Sequence, residues 1–531
     1  MKKTVLIVFM LYASVVKANN VQLSNISVTN NAGNTGKVIH FDVSWENSWR
    51  TSSTNNWDGV WVFFKFKDND GSWHHLNFTG TNVNMPVGAA YDMGSNAGNI
   101  GIGMFIYRSA NGSGTVTLTD VKAGIQSYPG TFDVKGFVIE MVYMPQGSFW
   151  VGDGGNYSNY MYQDGTTGNP HQITGTSITI GTATGDLNDP YYGGIPVFTG
   201  TLTNFPSGYG ATWIMKYELS LGAYRDYLNT LSYAQQAAHL NSPLTPQSGT
   251  NTIIIGPSVF GGSYRGIIKI KTTGSNAAQT PAIVGCDLDG DNIYDEANDG
   301  EWLAAGCINW PDAAAYLDWA GLRPMTELEY EKACRGPLTP VSEEFAWGTN
   351  QVATNEYLLA SSGQSGENIT NAPTSVGNAS YQPTTYNATF PYLPAYNVRG
   401  GIFASAISTR VSAGAGYYGA MELSGNLYEF CVPTTWAAGR SFAGKHGDGV
   451  LTIDGYADEN KWPGINGNAD NTVANTNFAG STGVTNTAGI YNKGGSFGVV
   501  ALAIRVSYRN GGTMSLTRST NAGIRGVRDA N

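Results

Sequence analysis

The stretch Asn309-Trp310-Pro311-Asp312-Ala313-Ala314-Ala315-Tyr316-Leu317-Asp318-Trp319-Ala320-Gly321-Leu322-Arg323-Pro324-Met325-Thr326-Glu327-Leu328-Glu329 holds two helix starts and one helix stop. Asn309 stands before Trp310-Pro311-Asp312, which puts proline inside the first turn and an acid at the third helical position. Gly321 lies just past the expected end. Thr326 and Glu329 form a capping box, in which each side chain satisfies an amide group the other end of the turn leaves unpaired. Upstream, Ser220 can cap a helix whose Tyr224, Tyr227, Leu228 and Leu231 fall on one face. Helices this short persist only when packed against something else. From about residue 137 onward they stand among long Gly/Asn loops, the segments in which binding or regulation would sit.

Before that region the texture is different. Val38 to Trp45 alternates apolar and polar with period two from Ile39, as a half-buried strand does. Val60 to Phe66 is nearly continuous in apolar and aromatic residues, which suits a central strand. Trp73 to Phe78, Ile100 to Tyr107, Thr115 to Val121 and Phe137 to Met144 are further strand candidates, punctuated by Asn, Gly and Ser clusters. The pattern predicts a β-sandwich over residues 19–135. Trp45, Trp49, Trp57, Trp61 and Trp73 could form a sugar-stacking platform, but aromatics dominate sandwich interiors and core is the expected use. His74 and His75 are adjacent on a strand and point to opposite faces, so they do not share a metal.

Lys2 and Lys3 followed by the apolar Thr4 to Val16 predict a signal peptide over residues 1–18, with Val16-Lys17-Ala18 offered to the peptidase. An apolar run of about 13 residues is too short to span a bilayer core of about 30 Å, and no later segment is long enough. The chain is therefore expected in the periplasm, at the cell surface or outside the cell. Only 13% of its 531 residues are charged while 12% are aromatic, so it can bury enough apolar surface to fold. The net charge of −10 offers no basic stripe to displace counterions from phosphates, which argues against nucleic acid. The four cysteines, Cys286, Cys307, Cys334 and Cys431, read as two disulfides in an oxidising compartment. Cys286 and Cys307 bracket one acidic loop and are paired on that ground, leaving Cys334 with Cys431. No C-x-x-C unit or nearby histidine pair points to zinc.

Seven segments then fall in the order of one known family. Met141-Val142-Tyr143-Met144-Pro145-Gln146-Gly147-Ser148-Phe149 resembles the opening strand of the formylglycine-generating-enzyme (sulfatase-modifying factor) family, and Lys216-Tyr217-Glu218-Leu219-Ser220 with Tyr224 resembles its first capped helix. Asn309 to Ala313 with Gly321 to Glu327 is similar to its central helix pair, and Phe345-Ala346-Trp347-Gly348 to its aromatic-x-Trp-Gly turn. Tyr418 to Phe430, containing Gly425-Asn426-Leu427-Tyr428-Glu429, resembles the Gly-Asn-x-aromatic-Glu signature. Lys493-Gly494-Gly495-Ser496-Phe497 and Asn521-Ala522-Gly523-Ile524-Arg525 resemble the closing motifs. Seven agreements in order are specific where one is not. The resemblance implies an α+β, C-type-lectin-like fold over 136–531. The same fold occurs in ergothioneine-type enzymes and in accessory proteins of gliding motility and type IX secretion.

The resemblance also implies that catalysis needs two cysteines shortly after Gly-Gly-Ser, where soft thiolates hold copper. Val499 and Ile504 stand there, and no cysteine follows Cys431. The ergothioneine-type alternative needs iron on histidines from a helical domain, whereas the N-terminal part here is β-rich. His446-Gly447-Asp448 is read as a loop, since no nucleophile elbow accompanies it. Arg505, Arg509, Arg518, Arg525 and Arg528 are expected to form ion pairs between strands. The expectation is a non-catalytic binding or structural subunit of an exported or cell-surface assembly, with envelope or surface proteins, or glycans, as partners. An enzyme with a reworked pocket and a carbohydrate-binding surface protein are the alternatives.

Calcium is expected at two places. Asp287, Asp289 and Asp291 alternate and are followed by Asp295 and Asp299, hard oxygen ligands at a spacing that suits Ca²⁺, though Asn292 and Asn298 depart from the EF-hand pattern and a solvated acidic turn is the alternative. The resemblance implies a second site of Glu422, Glu429 and the backbone oxygens of Gly425 and Leu427.

Overall fold

The computed structural model describes residues 20–530 apart from 32–35, 97–99, 129–131, 156–160, 190–197, 262–263, 383–395, 436, 460–461, 464–489 and 510–516. The expected signal peptide lies outside the described residues. Strands dominate, and among the described residues no helix is long and apolar enough to cross a membrane.

The N-terminal region contains β1 (Gln22–Asn30), β2 (Lys37–Thr51), β3 (Asn56–Lys67), β4 (Trp73–Leu76), β5 (Ala89–Asn96), β6 (Ile100–Arg108), β7 (Gly112–Ile125) and β8 (Asp133–Met144). β2 lies between β1 and β7, while β3 pairs β8 on one edge and β4 and β6 on the other. β2 and β3 meet only at Arg50–Trp57 and Thr51–Asn56, so the hairpin opens into two layers. Ile39, Phe41, Val43 and Trp45 of β2 pack across that gap on Val60, Val62, Phe64 and Phe66 of β3.

The other face of β3 explains its continuous apolar run. Trp57, Trp61 and Phe63 alternate with the sandwich-facing residues and enter a second core, shared with Trp213, Tyr227 and Trp319. A strand buried on both faces needs no polar alternation. Trp61 lies so close to β6 that a Cβ on Gly103 would stand 2.5 Å from its ring, and its indole N–H donates to the Ala320 carbonyl at 2.8 Å. Trp57 stacks on Tyr143 at 4.0 Å, and Trp213 stacks on Phe105 at 4.5 Å.

The sheet does not stop at the sandwich. β8 continues to β9 (Thr212–Met215), and beyond it the order runs through β14 (Gly526–Asp529), β10 (Arg323–Thr326), β11 (Tyr428–Val432) and β12 (Tyr491–Lys493), with β13 (Ala522–Gly523) also on β11. Fourteen strands are thereby joined. At the junction Lys216 is buried between Asp58 of β3 (3.4 Å) and Glu140 of β8 (3.2 Å), with its ammonium over the Trp49 ring. Burial, only partly offset by Lys216, pushes Glu140 up to about 7.

Three of the helices matter for the site: α1 (Leu221–Leu228), α2 (Trp310–Trp319) and α3 (Glu327–Arg335). Ser220 caps α1, and both expected boxes, Asn309 with Asp312 and Thr326 with Glu329, are formed reciprocally. The C-terminal arginines act as staples: Arg509 holds Asp189 and Glu327, Arg518 holds Asp312, Arg525 holds Glu429 and Arg505 holds Glu343. Arg528 instead donates to the carbonyls of Gly321 and Ser95.

The cysteines depart from expectation. Cys286 and Cys307 share one apolar cluster, and Cys334 and Cys431 another, yet all four are separate buried thiols and neither expected disulfide is formed. Each fills core space as a small hydrophobe, and burial raises its pKa, which removes thiolate character.

Candidate functional site

The turn from Met421 to Glu429 carries two carboxylates into the core, where a third, Glu218, meets them. Glu422 and Asn426 adopt left-handed conformations (φ 55° and 62°), and Gly425 between them has φ 91°. A Cβ on Gly425 would lie 2.4 Å from the Ser380 carbonyl oxygen, so only glycine fits. These turns drive Glu422 inward, where one oxygen accepts from the Gly401 amide at 2.8 Å. Glu429, on β11, accepts from Arg525 at 2.8 Å. Glu218, just before the α1 cap, accepts from the Leu427 amide at 2.9 Å and from the Asn426 side chain.

Burial and the neighbouring Glu429 hold Glu218 well above the usual carboxylate range, and burial brings Glu422 to about 7. The Oε2 atoms of Glu422 and Glu429 are buried and accept no hydrogen bond. Two orphaned carboxylate oxygens in an acid-rich pocket fit a hard cation such as Ca²⁺. Glu422 and Glu429 would hold it, with the Gly425 and Leu427 carbonyls from the same turn, and it would supply charge neutralisation. Glu218 joins this set only through the fold, from more than two hundred residues away.

Over residues 209–530 the sequence matches the family described as the sulfatase-modifying factor enzyme 1-like domain. The chain belongs to that family. The match begins just before β9, well after the boundary near 136 read from the sequence; β8 runs unbroken through that boundary. No curated protein matches the chain.

At the positions where the sulfatase-modifying factor resemblance places copper thiols, the residues do not fit the metal. Ile504 is fully buried against Phe345, Trp347 and Tyr381, and Val499 packs at the edge of the same cluster. Neither offers a donor atom, so no copper-dependent step is derived for this chain. Ser496 is buried, and its hydroxyl accepts from the Gly498 amide at 3.3 Å, a turn-forming role.

The acidic loop is only partly as expected. Asp287, Asp289 and Asp291 bring one carboxylate oxygen each within 4.8 Å of the others. Asp287 is buried and paired with Lys269 at 2.6 Å. Asp295 is diverted: it accepts from the Cys286 amide at 2.9 Å and from Arg225 at 2.7 Å, so it is no ligand of that cluster. Asp299 is fully buried; one oxygen accepts from the Glu296 amide at 2.8 Å.

A second acid cluster escaped the sequence reading. Asp318 at the end of α2, Asp448, Asp458 and Glu459 gather within 4.8 Å of one another, with Lys445 paired to Glu459 and the buried Lys65 nearby. No spacing could reveal it, because it joins segments about 130 residues apart. His446 turns to Asp529, whose amide donates to it at 3.0 Å, and burial lowers His446 to about 4, so no His446–Asp448 pair forms. His75 is buried on the Ile102 carbonyl while His74 pairs with Asp68.

Of the five tryptophans, Trp45, Trp57 and Trp61 are core and Trp49 is half-buried under Lys216. Trp73 differs. It lines a groove of about 1140 Å³ between the sandwich and the segments near α1, flanked by Lys67 and Lys135 and faced by Tyr128 and Gln235.

Proposed function

We propose that this protein is a non-catalytic binding or structural subunit of an exported or cell-surface assembly, built on a C-type-lectin-like sulfatase-modifying factor scaffold. The observation that carries this reading is the aliphatic pair Val499 and Ile504 where the resemblance requires thiolates. A scaffold that keeps its capped helices, its Gly-Asn turn and its arginine staples has kept its shape. A structural calcium at Glu422 and Glu429 is part of the same reading. Its partners are other envelope or surface proteins.

The test has two arms on the full chain. Incubation with a cysteine-containing sulfatase peptide and Cu(I) should yield no aldehyde by mass spectrometry, and purification from native envelope should recover a complex of fixed stoichiometry. An aldehyde product would overturn the proposal, as would a monomer with no co-purifying envelope protein. A second reading, carbohydrate recognition, is favoured by Trp73 in its groove, since an indole between two ammonium groups suits an acidic sugar. Binding of acidic oligosaccharides that Trp73→Ala abolishes would establish it, and no binding on a glycan array would remove it.

A further inference from the structure

The buried junction of Lys216, Asp58 and Glu140 has the parts of a reacting set. We propose that Lys216 and Asp58 close into an amide (isopeptide) cross-link, with Glu140 as the proton carrier, which ties the sandwich covalently to the sulfatase-modifying factor domain. This goes beyond the proposed function, because it holds whether that domain binds, scaffolds or catalyses.

Register brings the three side chains together. Asp58 pairs with Val142 and Val60 with Glu140 across β3 and β8, so the period of two puts both acids on one face. β9 pairs with β8 up to Met215 and Met141, and the next amide, that of Lys216, donates to the Glu140 carbonyl at 2.9 Å. The ammonium thereby lies 3.2 Å from Glu140 Oε2 and 3.4 Å from Asp58 Oδ2. Fixed contact at such distances removes most of the entropy cost of bringing an amine to a carboxyl. The Trp49 ring stands 4.7 Å from Nζ and the Tyr217 ring 5.6 Å, and all three reacting side chains are buried, so bulk water is kept out.

The two oxygens of Asp58 differ in what they meet. Oδ1 accepts from the Trp49 amide at 2.9 Å and from the Ser48 hydroxyl at 2.8 Å. Two fixed donors on one carboxyl oxygen stabilise the oxyanion of an acyl-transfer intermediate. Oδ2, the oxygen on the lysine, is the one that departs. Burial holds Glu140 to about 7 and raises Asp58, so the set keeps a proton to exchange near neutrality. At rest Lys216 is an ammonium: burial favours the neutral amine, but Tyr217, Glu140 and Asp58 outweigh it. Closure therefore runs through a minor protonation state and is one slow event per chain.

In that event one ammonium proton passes to Asp58 Oδ2, and Nζ forms its bond to Cγ while the negative charge gathers on Oδ1. Glu140 takes a second proton from Nζ and gives its own to the Oδ2 hydroxyl. The Cγ–Oδ2 bond breaks and one water leaves; Glu140 ends as it began, and nothing is oxidised or reduced. A cavity of about 130 Å³ lined by Glu140 and Tyr217 offers that water room. The product replaces a buried ion pair, which is costly to desolvate, with a neutral amide.

The experiment is the intact mass of the folded full chain, its N-terminus fixed by sequencing, followed by peptide mapping. Wild type should be lighter than its sequence by one water, and trypsin should not cleave after Lys216. Tandem mass spectrometry should find a branched peptide joining Lys216 to Asp58. Asp58→Ala, which has no acyl group, and Glu140→Gln, which cannot carry the proton, should both keep their full mass. Full mass in folded wild type after days at neutral pH would overturn the proposal. A lost water with Lys216 still free, the sign of a succinimide at Asp58-Gly59, would overturn it too. So would a Glu140→Gln variant, folded by circular dichroism, that closes as wild type does; if that variant does not fold, the wild-type mass and the branched peptide decide alone.

Discussion

Replacing Glu140 with glutamine should make the protein less sensitive to alkali. Glu140 and Asp58 share one ammonium, Lys216, so the junction holds two acids against one base, all buried. Burial keeps the Glu140 proton to about 7, against 4.5 for the free side chain. Below 4.5 both folded and unfolded chains hold that proton, and its contribution to stability is whole. Between the two values only the folded chain holds it, so stability falls as pH rises, by roughly 3 kcal/mol once pH exceeds 7. Glutamine cannot ionise and keeps an oxygen for Lys216. The Glu140→Gln variant should therefore gain on wild type between pH 5 and pH 8.5 by about that amount. Urea unfolding at both pH values, with excess chelator present, measures it. A difference that does not change with pH, or one that moves against the variant as pH rises, would refute the reasoning.

Lys216→Met should be far worse, costing roughly 3–5 kcal/mol at neutral pH, because it strands two buried carboxylates; urea unfolding reads the loss. Saturating calcium, at a hundredfold excess over its dissociation constant, should add about 2.7 kcal/mol per site to wild type. In Glu422→Gln/Glu429→Gln that gain should shrink by one site's worth, read by thermal unfolding with and without chelator. Wild type should take up no stoichiometric Cu(I), measured by elemental analysis after reductive loading, since Val499 and Ile504 offer no donor. Alkylation of the denatured, unreduced chain should label four thiols; a linked Cys286–Cys307 or Cys334–Cys431 peptide would restore the pairing read from sequence.

What could be read from the sequence was local or periodic. The Asn309–Asp312 and Thr326–Glu329 boxes were legible because a cap and its partner lie three residues apart. The central place of β3 was legible in its nearly continuous apolar run, though not the second core its far face enters. The aspartates of the acidic loop were visible as a pattern, but Asp295 was misassigned: the residue that claims it, Arg225, lies on α1, far away in sequence. Glu218 and the Asp318–Asp448–Asp458–Glu459 cluster were hidden for the same reason. Charges meeting across such separations obey the fold's topology, which no window of sequence contains. The cysteines misled because an even count beside an expected signal peptide suggests bonds, while the packing uses them as apolar filler.

The double duty of β3 has a consequence for how the chain comes into being. The sandwich is complete by Met144, but the partners of Trp57, Trp61 and Phe63 on its far side include Trp213, Tyr227 and Trp319. At ordinary synthesis rates the interval between Phe63 and Trp319 is on the order of tens of seconds. Throughout it the newly made sandwich presents a row of aromatic side chains whose partners have yet to be made. A fragment ending at residue 144 should accordingly bind hydrophobic dyes and self-associate, and a soluble, dye-silent fragment would show that the row finds another cover. The order of the chain thus sets how long that aromatic row waits for its cover, an interval no contact within the finished fold reveals.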